Sequence, residues 1–108
     1  MRGLFHFLTI METQFYILLS LKTAQRYVDY GQFFLGNERN AARELFRQLK
    51  GDPDVVASCP LHIDLMETDG ALPATVRTKC CRLEELAANC KLVTREMFRQ
   101  KNLKIYEE

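Results

Sequence analysis

Few residues in this chain are of a type and spacing that could do chemistry. His62 and Asp64 stand two apart. An imidazole beside a carboxylate can act as a general base, because its proton affinity lies near neutrality. On one strand that spacing puts both side chains on the same face, about 7 Å apart, which is long for a direct orienting hydrogen bond. Arg77 and Lys79, on a neighbouring strand, would join them in an acid–base or anion-binding cluster, with Arg77 as the ligand-binding cation. No nucleophile elbow, glycine-rich phosphate loop or oxyanion element accompanies them. No catalytic residue is therefore assigned, and cross-strand charge pairing is the plainer reading.

Cys59-Pro60-Leu61-His62 has a C-x-x-H spacing, and Cys80, Cys81 and Cys90 could complete a tetrahedral thiolate and imidazole set. Paired C-x-x-C knuckles are absent, so neither a metal nor any other cofactor is expected. Cys80 and Cys81 are neighbours, which rarely bridge each other without strain. A Cys59–Cys80 bridge is open to the sequence but not required by it. The expectation is reduced, mostly buried thiols behaving as small apolar side chains, in a cytoplasmic protein.

Arg39, Arg43, Arg47 and Lys50 step by four, four and three, so they share one side of a helix. Such a stripe can hold phosphates of a nucleic acid or an acidic partner. No aromatic interleaving supports that, and Glu44 dilutes the field. A solvated helix face with (i, i+4) partners ranks ahead of it. Tyr16, Tyr27 and Tyr30 could line a small-molecule pocket, although strand aromatics more often pack.

Those residues need a frame, and length limits it. The chain has 108 residues and a mass of 12.6 kDa, enough for one domain with one core. Hydrophobic residues make up 47% and charged residues 27%, so the chain is not of disordered type. A net charge of +1 excludes a polyelectrolyte tail and any global pull toward nucleic acid. Residues 1–13 can be read as an N-terminal extension, with Met11 an alternative start, and 103–108 as a fraying tail. The apolar run 15–21 is shorter than the roughly 20 residues a bilayer span needs, so no membrane partner is expected.

Hydrophobic periodicity supplies the elements. The runs 15–21 and 30–35 read as strands, with 23–29 as the turn between them. Asn37 suits a helix N-cap. Ala42, Leu45, Phe46 and Leu49 form one helical stripe, which Gly51 and Pro53 end. The runs 61–67 and 74–80 alternate around the turn signal Asp69-Gly70. Leu83, Leu86, Ala87, Cys90, Val93 and Met97 fall at helical spacing, with a break expected near Lys91-Leu92 and Thr94 capping a second piece. The order is β-β-α-β-β-α. The expected fold is α+β: a four-stranded antiparallel sheet with both helices on one face. Arg43-Glu44-Leu45-Phe46-Arg47-Gln48 nearly recurs as Arg95-Glu96-Met97-Phe98-Arg99-Gln100, which suggests an internal duplication.

The two hairpins differ. In the second, Leu61, Ile63 and Leu65 with Ala74, Val76 and Cys80 would face the helices. His62, Asp64, Thr75, Arg77 and Lys79 would face away. The first is apolar on both sides: Phe15, Ile17, Leu19 and Leu21 point one way, Tyr16 and Leu18 the other, and Phe33 and Phe34 cannot share a face. A strand apolar on both faces is normally covered on both. Either residues 4–10 fold over it, or another molecule does. The sequence therefore points to a non-enzymatic interaction domain that self-associates, most simply as a homodimer, with Tyr16, Leu18, Phe33 and Phe34 as interface candidates. Nucleic-acid binding through the arginine stripe, and a ligand or enzyme role for His62 and Asp64, are the alternatives.

Overall fold

Phe15, Ile17 and Leu19 alternate with Tyr16, Leu18 and Ser20 along a chain rich in β-branched and aromatic residues, which suits a pleated surface. In the computed structural model, which describes residues 13–70 and 72–101, this run forms β1 (Gln14–Lys22). It is followed by β2 (Tyr27–Gly36), α1 (Arg39–Gln48), β3 (Leu61–Thr68), β4 (Ala74–Cys81) and α2 (Leu83–Gln100). All pairings are antiparallel and the sheet order is β2-β1-β3-β4. The architecture is α+β, as the periodicity implied.

The core lies between the sheet and the helices. Ile17 faces Leu65 across the strands, and Leu19 faces Ile63. On these sit Ala42, Leu45, Phe46 and Leu49 from α1 and its end, and Val93 from α2. Phe33, Leu86, Leu92 and Met97 pack at the margin. Leu65 and Phe46 are wholly buried, and truncating a side chain like Phe46 to alanine costs about 3–5 kcal/mol in such surroundings.

Several boundaries depart from expectation for identifiable reasons. The first turn is only 23–26, because Thr23 folds it shut. Its hydroxyl donates to the Arg26 carbonyl at 2.8 Å and accepts from the Arg26 amide at 3.2 Å. Tyr27, Val28 and Asp29 are thereby released into β2. Glu38, not Asn37, occupies the cap position of α1. The second helix runs unbroken through Lys91, Leu92 and Thr94, since no Gly or Pro interrupts the stripe that buries Val93. The repeated hexapeptide begins four residues into α1 but twelve into α2, so the two copies do not hold equivalent places.

The largest departure is in β4. Pairing slips between Leu65 and Met66: Leu65 faces Arg77, whereas Met66 faces Thr75. Val76 is the extra residue, a β-bulge, and it packs against the core. Beyond it the alternation is inverted. Arg77, Lys79 and Cys81 share the helix face with Leu65, Ile63 and Leu61, while Thr78 and Cys80 lie on the other face beside Asp64 and His62. Arg77 and Lys79 therefore do not cluster with His62 and Asp64.

Lys79 uses its inverted position at the end of α1. Its Nζ donates to the carbonyls of Phe46 (2.8 Å), Arg47 (3.3 Å) and Leu49 (2.6 Å), and lies 5.1 Å from the Phe46 ring centroid. These are the carbonyls a helix leaves unpaired, at its negative end. The chain then turns through Gly51 at φ 152°. A methyl group there would lie 2.9 Å from Lys79 Cβ and 3.0 Å from the Cys80 carbonyl oxygen. This close approach lets Asp52 exchange two backbone hydrogen bonds with Cys80, each 2.8 Å. Buried Asn89 of α2 closes the corner: it accepts from the Lys50 amide and donates to the Lys50 carbonyl, both at 2.7 Å.

Cys59 and Cys80 form a disulfide with Cα atoms 5.9 Å apart. This corrects the expectation of reduced thiols: the bulge turns Cys80 away from the helices, to where the 49–60 connection delivers Cys59. Cys81 and Cys90 are free. Burial pushes the Cys81 thiol up to about 11, so little thiolate exists near neutrality to attack the neighbouring bridge.

Two outcomes are expected. Gly51→Ala should lower the unfolding free energy in denaturant titration by about 1–3 kcal/mol, the usual size of a strained backbone conformation. Reducing the Cys59–Cys80 bond, or Cys80→Ala, should cost about 3 kcal/mol by loop-closure entropy. Alkylation of the unreduced, denatured chain should label two cysteines.

Candidate functional site

The sheet face turned away from the helices carries two kinds of surface. Antiparallel partners share a face, so the register arranges the side chains in cross-strand rows. One row is Phe34, Tyr16, Met66 and Thr75; the next is Gln32, Leu18, Asp64 and Thr78; the third is Asp29, Ser20, His62 and Cys80. The first row is apolar and the third polar.

At the apolar end, Tyr16 is 8% exposed and Phe34 is 61% exposed. Their rings are 5.8 Å apart and tilted by 44°. Leu18 is half-buried. Phe33 is on the opposite face, paired with Ile17 and packed against the core. Of the four interface candidates, the structure thus brings together Tyr16, Leu18 and Phe34. Residues 4–10, the proposed internal cover, lie outside the described residues.

At the polar end, the Tyr27 ring stacks on His62 with centroids 4.1 Å apart, and its hydroxyl donates to the Cys59 carbonyl at 2.7 Å. The Ser20 hydroxyl donates to Asp29 Oδ1 at 2.9 Å. Ser20 faces His62 across the strands, but a serine nucleophile needs an imidazole to take its proton, and here a carboxylate holds it. His62 Nε2 and Asp64 Oδ1 are both shielded from solvent, and neither has a hydrogen-bond partner among the described residues. Burial is the main cause that raises the Asp64 pKa; a hydrogen bond from Thr78 and the charge of His62 work against it, and Asp29 adds to it. Tyr16 and Tyr27 share this face. Tyr30 is the extra residue where β2 slips against Leu19 and Ser20; burial first, then the nearby Cys90 and Cys81, raises its pKa, so it sits toward those thiols and the three tyrosines do not form one pocket.

The basic stripe of α1 is divided. Arg39 pairs with Glu67 of β3 at 2.5 Å and lies over the Phe15 ring. Arg47 is engaged by Glu44 through two bonds, of 3.0 and 2.6 Å. The Lys50 backbone is bound to Asn89. Arg43 and Arg47 line a concavity of about 670 Å³ with Asn40, Glu44, Phe46, Arg77 and Lys79. Sequence reasoning missed the joining of α1 with Arg77 and Lys79, because the bulge that inverts β4 has no Gly or Pro to announce it. It also missed Asn89, whose signal was present: a polar residue among Leu86, Cys90 and Val93.

The disulfide removes Cys59 and Cys80 from any thiolate set. Among the described residues, no group of three or more His, Cys, Asp or Glu side chains is placed to hold a metal ion. Nor is any described helix long and apolar enough to cross a membrane. No family model, curated protein or solved structure matches the chain.

Asp64 sets an expected pH dependence. Its folded pKa exceeds its unfolded one, so the folded state binds the proton more tightly. Stability from this group is therefore present below the ordinary carboxylate range and lost as pH rises through the raised value. Asp64→Asn should flatten that loss in melting curves taken from acidic to neutral pH, and should melt higher than the parent at neutral pH. Parallel pH profiles would mean that the carboxylate is fully solvated.

Proposed function

We propose that this chain is a small protein-interaction domain that associates with a second copy of itself through the open face of β1 and β2. The observation that carries this reading is Phe34: a phenylalanine 61% exposed on an edge strand, beside half-buried Leu18 and buried Tyr16 and Met66 on the same face. An exposed aromatic ring on an apolar row of this kind marks an association surface.

The edge itself adds support. β2 reads Tyr-Val-Asp-Tyr-Gly-Gln-Phe-Phe-Leu-Gly, without the lysines or prolines that commonly blunt a sheet edge, although it carries slips in register. A two-fold contact would place the same patch against itself, which suits a ring that stacks on its own counterpart. Oxidising surroundings preserve disulfides and the cytosol does not. The Cys59–Cys80 bond therefore weighs against the expected cytoplasmic location, but self-association needs neither compartment.

A second reading, ligand binding at the polar end, is favoured by one observation. His62 Nε2 and Asp64 Oδ1 are shielded and without a hydrogen-bond partner among the described residues, and a polar ligand or partner group would satisfy them.

Light scattering is the direct test. The parent should scatter at twice 12.6 kDa, and Phe34→Lys should return it to the single mass with its melting temperature retained. Loss of a central aromatic contact should weaken association by about 2 kcal/mol or more. A parent chain at the single mass over the whole accessible concentration range would overturn the reading.

A further inference from the structure

We propose that the concavity between α1 and β4 binds a small organic phosphate, with Arg43 and Arg77 as the groups that grip it. This site is on the helix side of the sheet and is independent of the association surface around Phe34.

The first argument is the charge balance of the lining. Arg43 and Arg47 come from successive turns of α1, and Arg77 and Lys79 from one face of β4. Glu44 is the only acid in the lining, and its carboxylate is held by Arg47 through both oxygens. Three cations are left without a counter-charge in the cavity, in a molecule whose formal net charge is only +1. Like charges brought together in this way are unfavourable unless an anion joins them.

The second argument is which donors are free. All three Lys79 protons are spent on α1 carbonyls, so Lys79 supplies charge at the floor but no bond. The Arg47 fork is spent on Glu44. Arg43 and Arg77 have no ion pair among the described residues, and each guanidinium offers a planar fork that matches phosphate oxygens two at a time. The position of Lys79 between helix end and cavity explains why the anion would not displace it.

The third argument is size. About 670 Å³ is the volume of an ordinary small-molecule site, larger than a bare phosphate needs. The methylene stems of the arginines supply apolar wall for an organic moiety. A polyanionic chain would instead need the basic surface to continue along α1, where Arg39 is already paired with Glu67.

The test is calorimetric titration with inorganic pyrophosphate at low salt, using the full chain. Binding should be seen, and Arg43→Gln and Arg77→Gln should each weaken it about tenfold, the loss of one charge-assisted contact. Arg39→Gln, outside the cavity, should leave it unchanged, and circular dichroism should show all three variants folded. The absence of binding at millimolar pyrophosphate would overturn the proposal. So would equal losses in Arg39→Gln, which would signify diffuse charge. A short single-stranded oligonucleotide that binds more tightly than pyrophosphate and depends on Arg39 would replace the small phosphate with a nucleic acid, and equally overturn it.

Discussion

The inserted residue at Val76 decides more of this molecule than any other feature. A strand alternates strictly, so one extra residue moves every later side chain to the opposite face. Because of it, Lys79 reaches the carbonyl end of α1, Cys81 enters the core and Cys80 leaves it. Each of these positions then imposes a demand elsewhere. Lys79 beneath α1 leaves no room for a side chain at Gly51. Cys80 on the outer face must be met by Cys59. Cys81 beside Lys50 requires a polar partner for the turning backbone, which Asn89 provides.

This corner also explains how a small core holds two helices. α1 is short, and short helices are marginal without tertiary support. Its apolar stripe is buried through Leu45 and Phe46, while its C-terminal carbonyls are bound by a lysine from the sheet. α2 begins with its own closure, since Glu85 accepts a bond from the Arg82 amide at 2.9 Å. The end of the first helix is thus capped from the sheet, and the start of the second by its own first turn.

The two sheet faces divide the chemistry accordingly. The covered face gives the core and, where β4 emerges beyond α1, a basic concavity. The open face grades from Phe34 and Tyr16 to His62 and Asp29 within three rows of side chains. At the polar end the Ser20 hydroxyl donates to Asp29, and His62 Nε2 and Asp64 Oδ1 are shielded without a hydrogen-bond partner among the described residues.

Periodicity alone carried the order of elements, the stripe of α1, and the two-sided character of β1. All of these depend on residue type at short range, where a period of two or of 3.6 is written directly in the chain. The split of Phe33 from Phe34 was legible for the same reason. The facing of Arg77 and Lys79, the Cys59–Cys80 bridge and the basic concavity were not. They depend on one unpaired residue in β4, and an inserted residue is defined only by the strand it fails to match. Pairing register is a property of two segments together, so only the assembled sheet could fix it.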